Sequence, residues 1–261
     1  MSISGLIDVG TSDTWARHQS ALTTQGQSAA EPDKPVKRPP KIVAGITLPR
    51  LAFSDSMFCL LRAAQGLRLP LITATGAFWS QGITGMMEKA LDADAEMLLT
   101  IDYDSLFSVS DIKVLIATMD AHPEIDAMCP LQLHRYRAAL LCCPDGKPNE
   151  KVTPEYLEPE TTQVKTGHFG LTLIRCAGIR RLPRPWFIAT PDADGRWGEG
   201  HIDEDTHFWH LWQSAGLTLH SANRVSIGHV INVAKWPGKN LQPEFQMLDD
   251  YAAFGKPEGA M

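Results

Sequence analysis

The pattern Asp-x-Asp occurs four times, at Asp92/Asp94, Asp102/Asp104, Asp192/Asp194 and Asp203/Asp205. Two carboxylates spaced i, i+2 in a short turn can approach one hard cation, because Mg2+ and Mn2+ take oxygen ligands. Context separates the four pairs. Asp102 and Asp104 follow the apolar run Met97-Leu98-Leu99-Thr100-Ile101, which reads as a buried strand delivering them at its C-terminal end. Asp92/Asp94 fall in the turn after a helix, and Asp192/Asp194 in a Gly-rich loop. Asp203/Asp205 open a helix, where acids favour the macrodipole. A solvated turn after a strand is the competing reading of Asp102/Asp104.

Three further features bear on chemistry. His229 closes the extended segment Thr218 to Val230, and a lone histidine there is either a ligand or structural. Glu204 and Asp205 are either first-turn helix starters or carboxylates able to take a proton. His201, His207 and His210 invite a zinc-hydrolase reading, since histidines at i, i+3 can share a metal. At 100° per residue, however, His210 points away from the stripe Phe208, Leu211, Trp212 and Ala215, and His207 only flanks it.

These residues need elements to position them. Ile42 to Ile46 reads as a short buried strand, stopped by Thr47-Leu48-Pro49. Ser54 or Asp55 caps a helix that Gly66 ends, and a second strand runs from Leu69 to Thr73. Ile83, Met86, Met87, Ala90 and Leu91 mark one face of an amphipathic helix, as do Ile112, Leu115, Ile116 and Met119. Ala127 to Cys129 is a further short strand. This alternation is the rhythm of a doubly wound parallel sheet, where ligands bind at the carboxyl ends of the strands. Asp102 and Asp104 stand at such an end.

The second half is less periodic. Tyr136 to Thr166, with the turn signal Pro144-Asp145-Gly146, reads as a hairpin or excursion. Gly167 to Ile174 is a glycine-led strand, and residues 189–200 a flexible loop. A helix starts near Asp203 and ends at Gly216. The expected organisation is a flexible tail over 1–40, a first half over 41–135, a second half over 136–235, and a C-terminal tail over 236–261.

The 261 residues are 44% hydrophobic and 21% charged, enough for one large α/β domain with a buried core. No apolar run approaches the ~18 residues of a membrane span, and the first twenty residues lack the features of a secretory signal. A soluble, cytoplasmic protein without a membrane span is expected. The net charge of −6 argues against a whole-chain grip on nucleic acid. Lys34, Lys37, Arg38 and Lys41 form a basic cluster, but prolines among them favour a solvated linker. The five cysteines have no C-x-x-C spacing, which fits buried thiols rather than disulfides or a zinc ribbon.

Taken in order, these motifs resemble the GT-A glycosyltransferases, especially the compact, family-2-like bacterial and phage-encoded ones. The motifs are Asp102-Tyr103-Asp104, Gly167 to Arg175, Pro185-Trp186-Phe187, Glu204-Asp205-Thr206-His207-Phe208 and Ile227-Gly228-His229. Met128-Cys129-Pro130 through His134-Arg135 is similar to the strand and loop the family carries after its D-x-D helix. The resemblance covers about residues 41 to 232.

It implies a single Rossmann-like GT-A domain, with a mostly parallel central sheet flanked by helices and a smaller mixed acceptor-side region. It also implies Mn2+ or Mg2+ held by Asp102, Asp104 and His229. Asp205, with Glu204 beside it, matches the residue that deprotonates an acceptor hydroxyl. Thr47 and Gln81 join the two aspartates at the nucleotide-sugar donor, Gln81 standing where many relatives have an arginine. Trp186 is either an acceptor-side stacking platform or a core residue. The implied partners are a nucleotide-sugar donor and a saccharide or other hydroxyl acceptor. Alternatives are a phage-type enzyme acting on hydroxymethylated DNA, in host cytoplasm, and a non-catalytic sugar-binding module. The nucleotide, the sugar and the stereochemical outcome stay open.

Overall fold

The computed structural model of the protein describes residues 41–261 apart from 50, 136, 137, 147–152, 199 and 240. The expected tail over 1–40, with Lys34, Lys37 and Arg38, lies outside the described residues, as does part of the 136–166 excursion.

The first half runs β1 (Ile42–Leu48), α1 (Ser54–Leu67), β2 (Leu71–Thr75), α2 (Trp79–Asp92), β3 (Met97–Asp102), β4 (Ser105–Leu106), α3 (Val109–Ala121) and β5 (Ala127–Leu131). The second adds β6 (Thr161–Gln163), β7 (Leu171–Arg175), α4 (Cys176–Ile179), α5 (Glu204–Ser214), β8 (Leu219–Ser226) and β9 (Gly228–His229). The chain continues with β10 (Val233–Pro237), β11 (Pro243–Met247) and α6 (Leu248–Phe254).

Seven strands form one sheet in the order β2-β1-β3-β7-β5-β8-β6. Strands β1, β2 and β3 pair in parallel, as do β5 and β8, while β7 and β6 run against their neighbours. The sheet is therefore mainly parallel, with helices on both faces. Its chain order reverses at β1, since β2 lies on one side and β3 on the other. That reversal opens a crevice at the carboxyl ends of β1 and β3.

Side-chain alternation divides the core in two. Val43 and Leu98 face Ile83, Met86, Met87 and Ala90 of α2. Ile42, Ala44, Ile46, Met97, Leu99 and Ile101 face Leu60 and Ala63 of α1 and Ile112, Leu115 and Met119 of α3. Burying each large apolar side chain among them stabilises the fold by roughly 1.5–3 kcal/mol. Beyond β7, the first layer continues into an aromatic cluster of Phe169, Phe187, Phe208, Trp209 and Trp212. Phe208 stacks on Phe187 at 5.0 Å, and Phe169 on Trp209 at 5.2 Å. These contacts clamp α5 against the sheet and fix the position of its first turn.

Several local expectations are corrected. Neither Ser54 nor Asp55 caps α1; Phe53 holds that place without a side-chain bond, and the helix runs past Gly66 to a left-handed Arg68. The capping box is at α3, where Ser108 and Asp111 bond reciprocally. The expected C-terminal tail carries an antiparallel hairpin, β10 with β11, followed by α6. Loop 189–200 has its ends joined by backbone bonds between Thr190 and Ile202. Among the described residues, no helix is long and apolar enough to cross a membrane.

Candidate active site

Thr47 lies near the end of β1 and Asp102 ends β3, and the two are register partners. The Thr47 hydroxyl donates to Asp102 Oδ1 at 3.4 Å. Burial raises the Asp102 pKa to about 6, and the neighbouring Asp104 charge adds to the effect. Hydrogen bonds from Trp79 and Thr47 partly oppose it, and the Asp205 charge raises it further. Asp205 is thus close enough for its charge to be felt, although it belongs to a helix much later in the chain.

The turn after β3 is fastened to the segment that follows the last strand of the main sheet. Strand β4 pairs with β9, setting Ser105 opposite His229, and the Val230 N–H donates to the Asp104 carbonyl at 2.8 Å. His229 Nε2 consequently lies 3.4 Å from Asp104 Oδ2. The Nδ1–H of His229 donates to the Leu133 carbonyl at 3.0 Å, which leaves Nε2 as the acceptor nitrogen of the ring. Burial would lower the His229 pKa, but Asp104 and the Leu133 carbonyl favour the protonated ring and raise it.

Arg135 completes the cluster. Its Nη2 donates to Asp104 Oδ2, and its Nε donates to His229 Nε2 at 2.9 Å. Burial would raise the Asp104 pKa, yet His229 and Arg135 outweigh it and hold the carboxyl below its ordinary value. Gly170 makes room for this arrangement. A Cβ there would stand 2.7 Å from both Gln132 Oε1 and Ser105 Oγ, the residues that tie loop 132–135 to the turn.

Two clefts flank the aspartates and share Tyr103. One is lined by Thr47, Leu48, Ala74, Phe78, Trp79 and Gly82, and the other by Asp104, Arg135, Val230, Ile231, Leu248 and Asp249. Asp205 sits in the first turn of α5, partly exposed, its Oδ1 accepting the Thr206 N–H at 2.7 Å. Burial raises its pKa to about 6, opposed by that N–H and reinforced by Asp203 and Glu204. Glu204 is partly exposed beside it.

The structure therefore brings Thr47, Asp102, Asp104, His229 and Asp205 to one end of the sheet. It departs from expectation in three places. Asp102, Asp104 and His229 are not gathered within 4.8 Å as a set, because Asp102 turns to Thr47 and Trp79 while Arg135 takes the space beside the other two. Gln81 is exposed on α2, and the cleft is lined instead by Trp79 and Gly82, since a step of one residue swings a helical side chain by about 100°. Trp186 is a core residue, 3% exposed, with the Arg184 guanidinium 4.3 Å from its ring centroid, so it offers no face to an acceptor.

Residue types and spacing assign no role to Arg135, Tyr103 or Trp79. Arg135 lies inside a motif that the resemblance matches, which is the one signal that points to it. Among the described residues, His201, His207 and His210 do not form a metal group; Cys129, Cys142 and His168 do lie within 4.8 Å of one another. Both ring nitrogens of His168 are engaged, Nδ1 by the Gly170 N–H and Nε2 by the Pro130 carbonyl, and burial lowers its pKa to about 4. That group reads as neutral core packing. Cys59, Cys129, Cys142 and Cys176 are free thiols.

No protein-family model matches the chain. No curated protein matches it by sequence. Solved structures do match. The crystal structure of A197 from STIV aligns with a TM-score of 0.52 and 13% identity, covering 78% of this chain and 94% of that one. GalNAc-T7, solved with UDP, GalNAc and Mn2+, aligns with a TM-score of 0.50 and 13% identity, covering 74% of this chain and 44% of that one. This chain thus spans less than half of GalNAc-T7. The mannosyltransferase PcManGT from Pyrobaculum calidifontis, solved with GDP-Man and Mn2+, scores 0.46 at 10% identity, covering 84% and 64%. At such identities the likeness concerns the fold alone. The first two alignments, with the sheet order and the crevice at β1 and β3, give the chain a GT-A-like α/β fold.

Proposed function

We propose that the chain is a metal-dependent glycosyltransferase, moving a sugar from a nucleotide-sugar diphosphate to a hydroxyl acceptor. One observation carries the reading: Thr47, Asp102, Asp104 and His229 lie at the sheet's topological switch point, with Asp205 close by. Two carboxylates and an imidazole nitrogen are a donor set that suits Mn2+ or Mg2+. Asp104 and His229 already share one positive charge, that of Arg135. Asp104, His229 and Asp102 would hold the metal. The ion, when bound, offsets the charge on a departing diphosphate.

The cleft of Thr47, Phe78, Trp79 and Gly82 receives the nucleoside, its apolar walls suiting a base. Asp205 accepts the acceptor's proton. A carboxylate with a pKa near 6 is a better base at neutral pH than one near 4, and it is still ionised there. GalNAc-T7, solved with UDP, GalNAc and Mn2+, supports the substrate class by analogy of fold.

The test is release of the nucleotide from a panel of UDP-, GDP-, CMP- and dTDP-sugars, with Mn2+ and with EDTA, in the presence of a mixed acceptor pool. Release that requires metal supports the reading. Metal-independent release, or none from any donor, counts against it.

A further inference from the structure

Arg135 places one cation against both Asp104 and His229. Both groups are cation-seeking, one as a carboxylate and the other through the lone pair that the Leu133 bond leaves on Nε2. Asp104 is 3% exposed at its side chain, whereas Arg135 is 37% exposed. The guanidinium is thus the more exposed of the two, and it bonds both members of the pair. Arg135 also lines the cleft that holds Asp104, Val230 and Asp249.

We propose that Arg135 is a built-in counter-cation of the Asp104–His229 pair, which must let go of both groups before a divalent ion can bind. This rests on the cation site described under the proposed function. The consequence is thermodynamic coupling. Releasing a guanidinium from a nearly buried carboxylate is costly unless it finds a new anion. A diphosphate in the adjoining cleft supplies one, because arginine matches phosphate oxygens with two parallel N–H donors. Metal and nucleoside diphosphate then bind better together than apart, and Arg135 is the residue that links them.

The experiment is a calorimetric Mn2+ titration of the full chain and of Arg135→Met, Arg135→Gln and Arg135→Lys, each alone and with UDP or GDP. Circular dichroism confirms that each variant is folded. The expected result is weak Mn2+ binding to the wild type alone, strengthened by a nucleotide. Arg135→Met and Arg135→Gln bind Mn2+ alone roughly 5- to 150-fold tighter, the ordinary range of coupling between sites, and gain less from the nucleotide. Arg135→Lys keeps the charge and stays near the wild type. Nucleotide-dependent Mn2+ binding that the neutral variants leave unchanged or weaken overturns the role of Arg135 alone. Absence of Mn2+ binding in every form, with and without nucleotide, overturns the cation site itself.

Discussion

His229 Nε2 lies 3.4 Å from Asp104 Oδ2, although the two residues come from opposite halves of the chain. A two-residue strand pairing and one backbone bond, from Val230 to the Asp104 carbonyl, achieve this. The pairing matters because the D-x-D turn would otherwise be an exposed loop. Fixed by β9, it presents a carboxylate and an imidazole in one place. Function here depends on a junction between segments that sequence spacing alone leaves far apart.

Replacing Asp104 by Ala should remove metal-assisted nucleotide binding while leaving the sheet intact. Charge-assisted contacts to a bound cation are lost, and Arg135 is left partly exposed to solvent. In calorimetry with Mn2+, the affinity for UDP or GDP should fall by at least about 100-fold, or ~3 kcal/mol. Unchanged affinity in the variant would remove Asp104 from the site.

Asp205→Asn should bind donor normally and transfer little. The amide keeps the shape and can still accept the Thr206 N–H. It cannot take a proton, so the turnover rate should drop by about 10^2- to 10^4-fold with the donor KM unchanged. In the wild type, transfer should decline as pH falls through about 6, where Asp205 gains its proton. A flat profile between about pH 5 and 8, or a fully active variant, would assign the base elsewhere.

Asp102→Asn should stabilise the metal-free protein at neutral pH. The folded pKa of about 6 is above the ordinary 3.8, so the folded state prefers the protonated acid. The associated stability is present below 3.8 and lost as pH rises through about 6. At neutral pH the ionised group costs on the order of 1–3 kcal/mol, since each tenfold change in proton affinity is worth about 1.4 kcal/mol. In EDTA the variant's Tm should exceed the wild type's at about pH 7.5, with the gap closing towards about pH 4. An equal or lower Tm at neutral pH would contradict a burial penalty on the ionised Asp102.

Much of the frame was legible because its cause is local. The apolar run 97–101 dictates a buried strand, and the spacing of Ile83, Met86, Met87 and Ala90 dictates a helix face that the structure buries completely. Gly216, expected to end α5, has the left-handed φ of 69° that such a stop requires. What was not legible depends on partners far away. The direction of β7, antiparallel between β3 and β5, is a property of the connection rather than of its residues. Trp186 reads the same on a surface or in a core until α5 and its aromatic neighbours are in place. The hairpin of β10 and β11 lacks a buried face, with Val233 and Phe245 exposed, so it gave no hydrophobic signal. Arg135 was invisible as a partner of Asp104 because only the fold brings loop 132–135 to the turn.

Gly170→Ala should damage both fold and site. Its Cβ would be 2.7 Å from Ser105 Oγ and Gln132 Oε1, closer than real contacts allow. The cost should be about 1–3 kcal/mol, as for other overpacked interiors. Denaturant unfolding measures it, and a wild-type midpoint would show that the loop yields without strain.

The most direct test of the central claim is a thermal-shift series with UDP, GDP, CDP, dTDP and their sugar derivatives, each with Mn2+ and with EDTA. A ligand that binds only the folded state raises the midpoint by mass action, about 2.7 kcal/mol of stability at 100 times Kd. A metal-assisted nucleotide-sugar site predicts a rise for one nucleotide class, present with Mn2+ and absent with EDTA. No rise with any of them, or the same rise with EDTA, would contradict it.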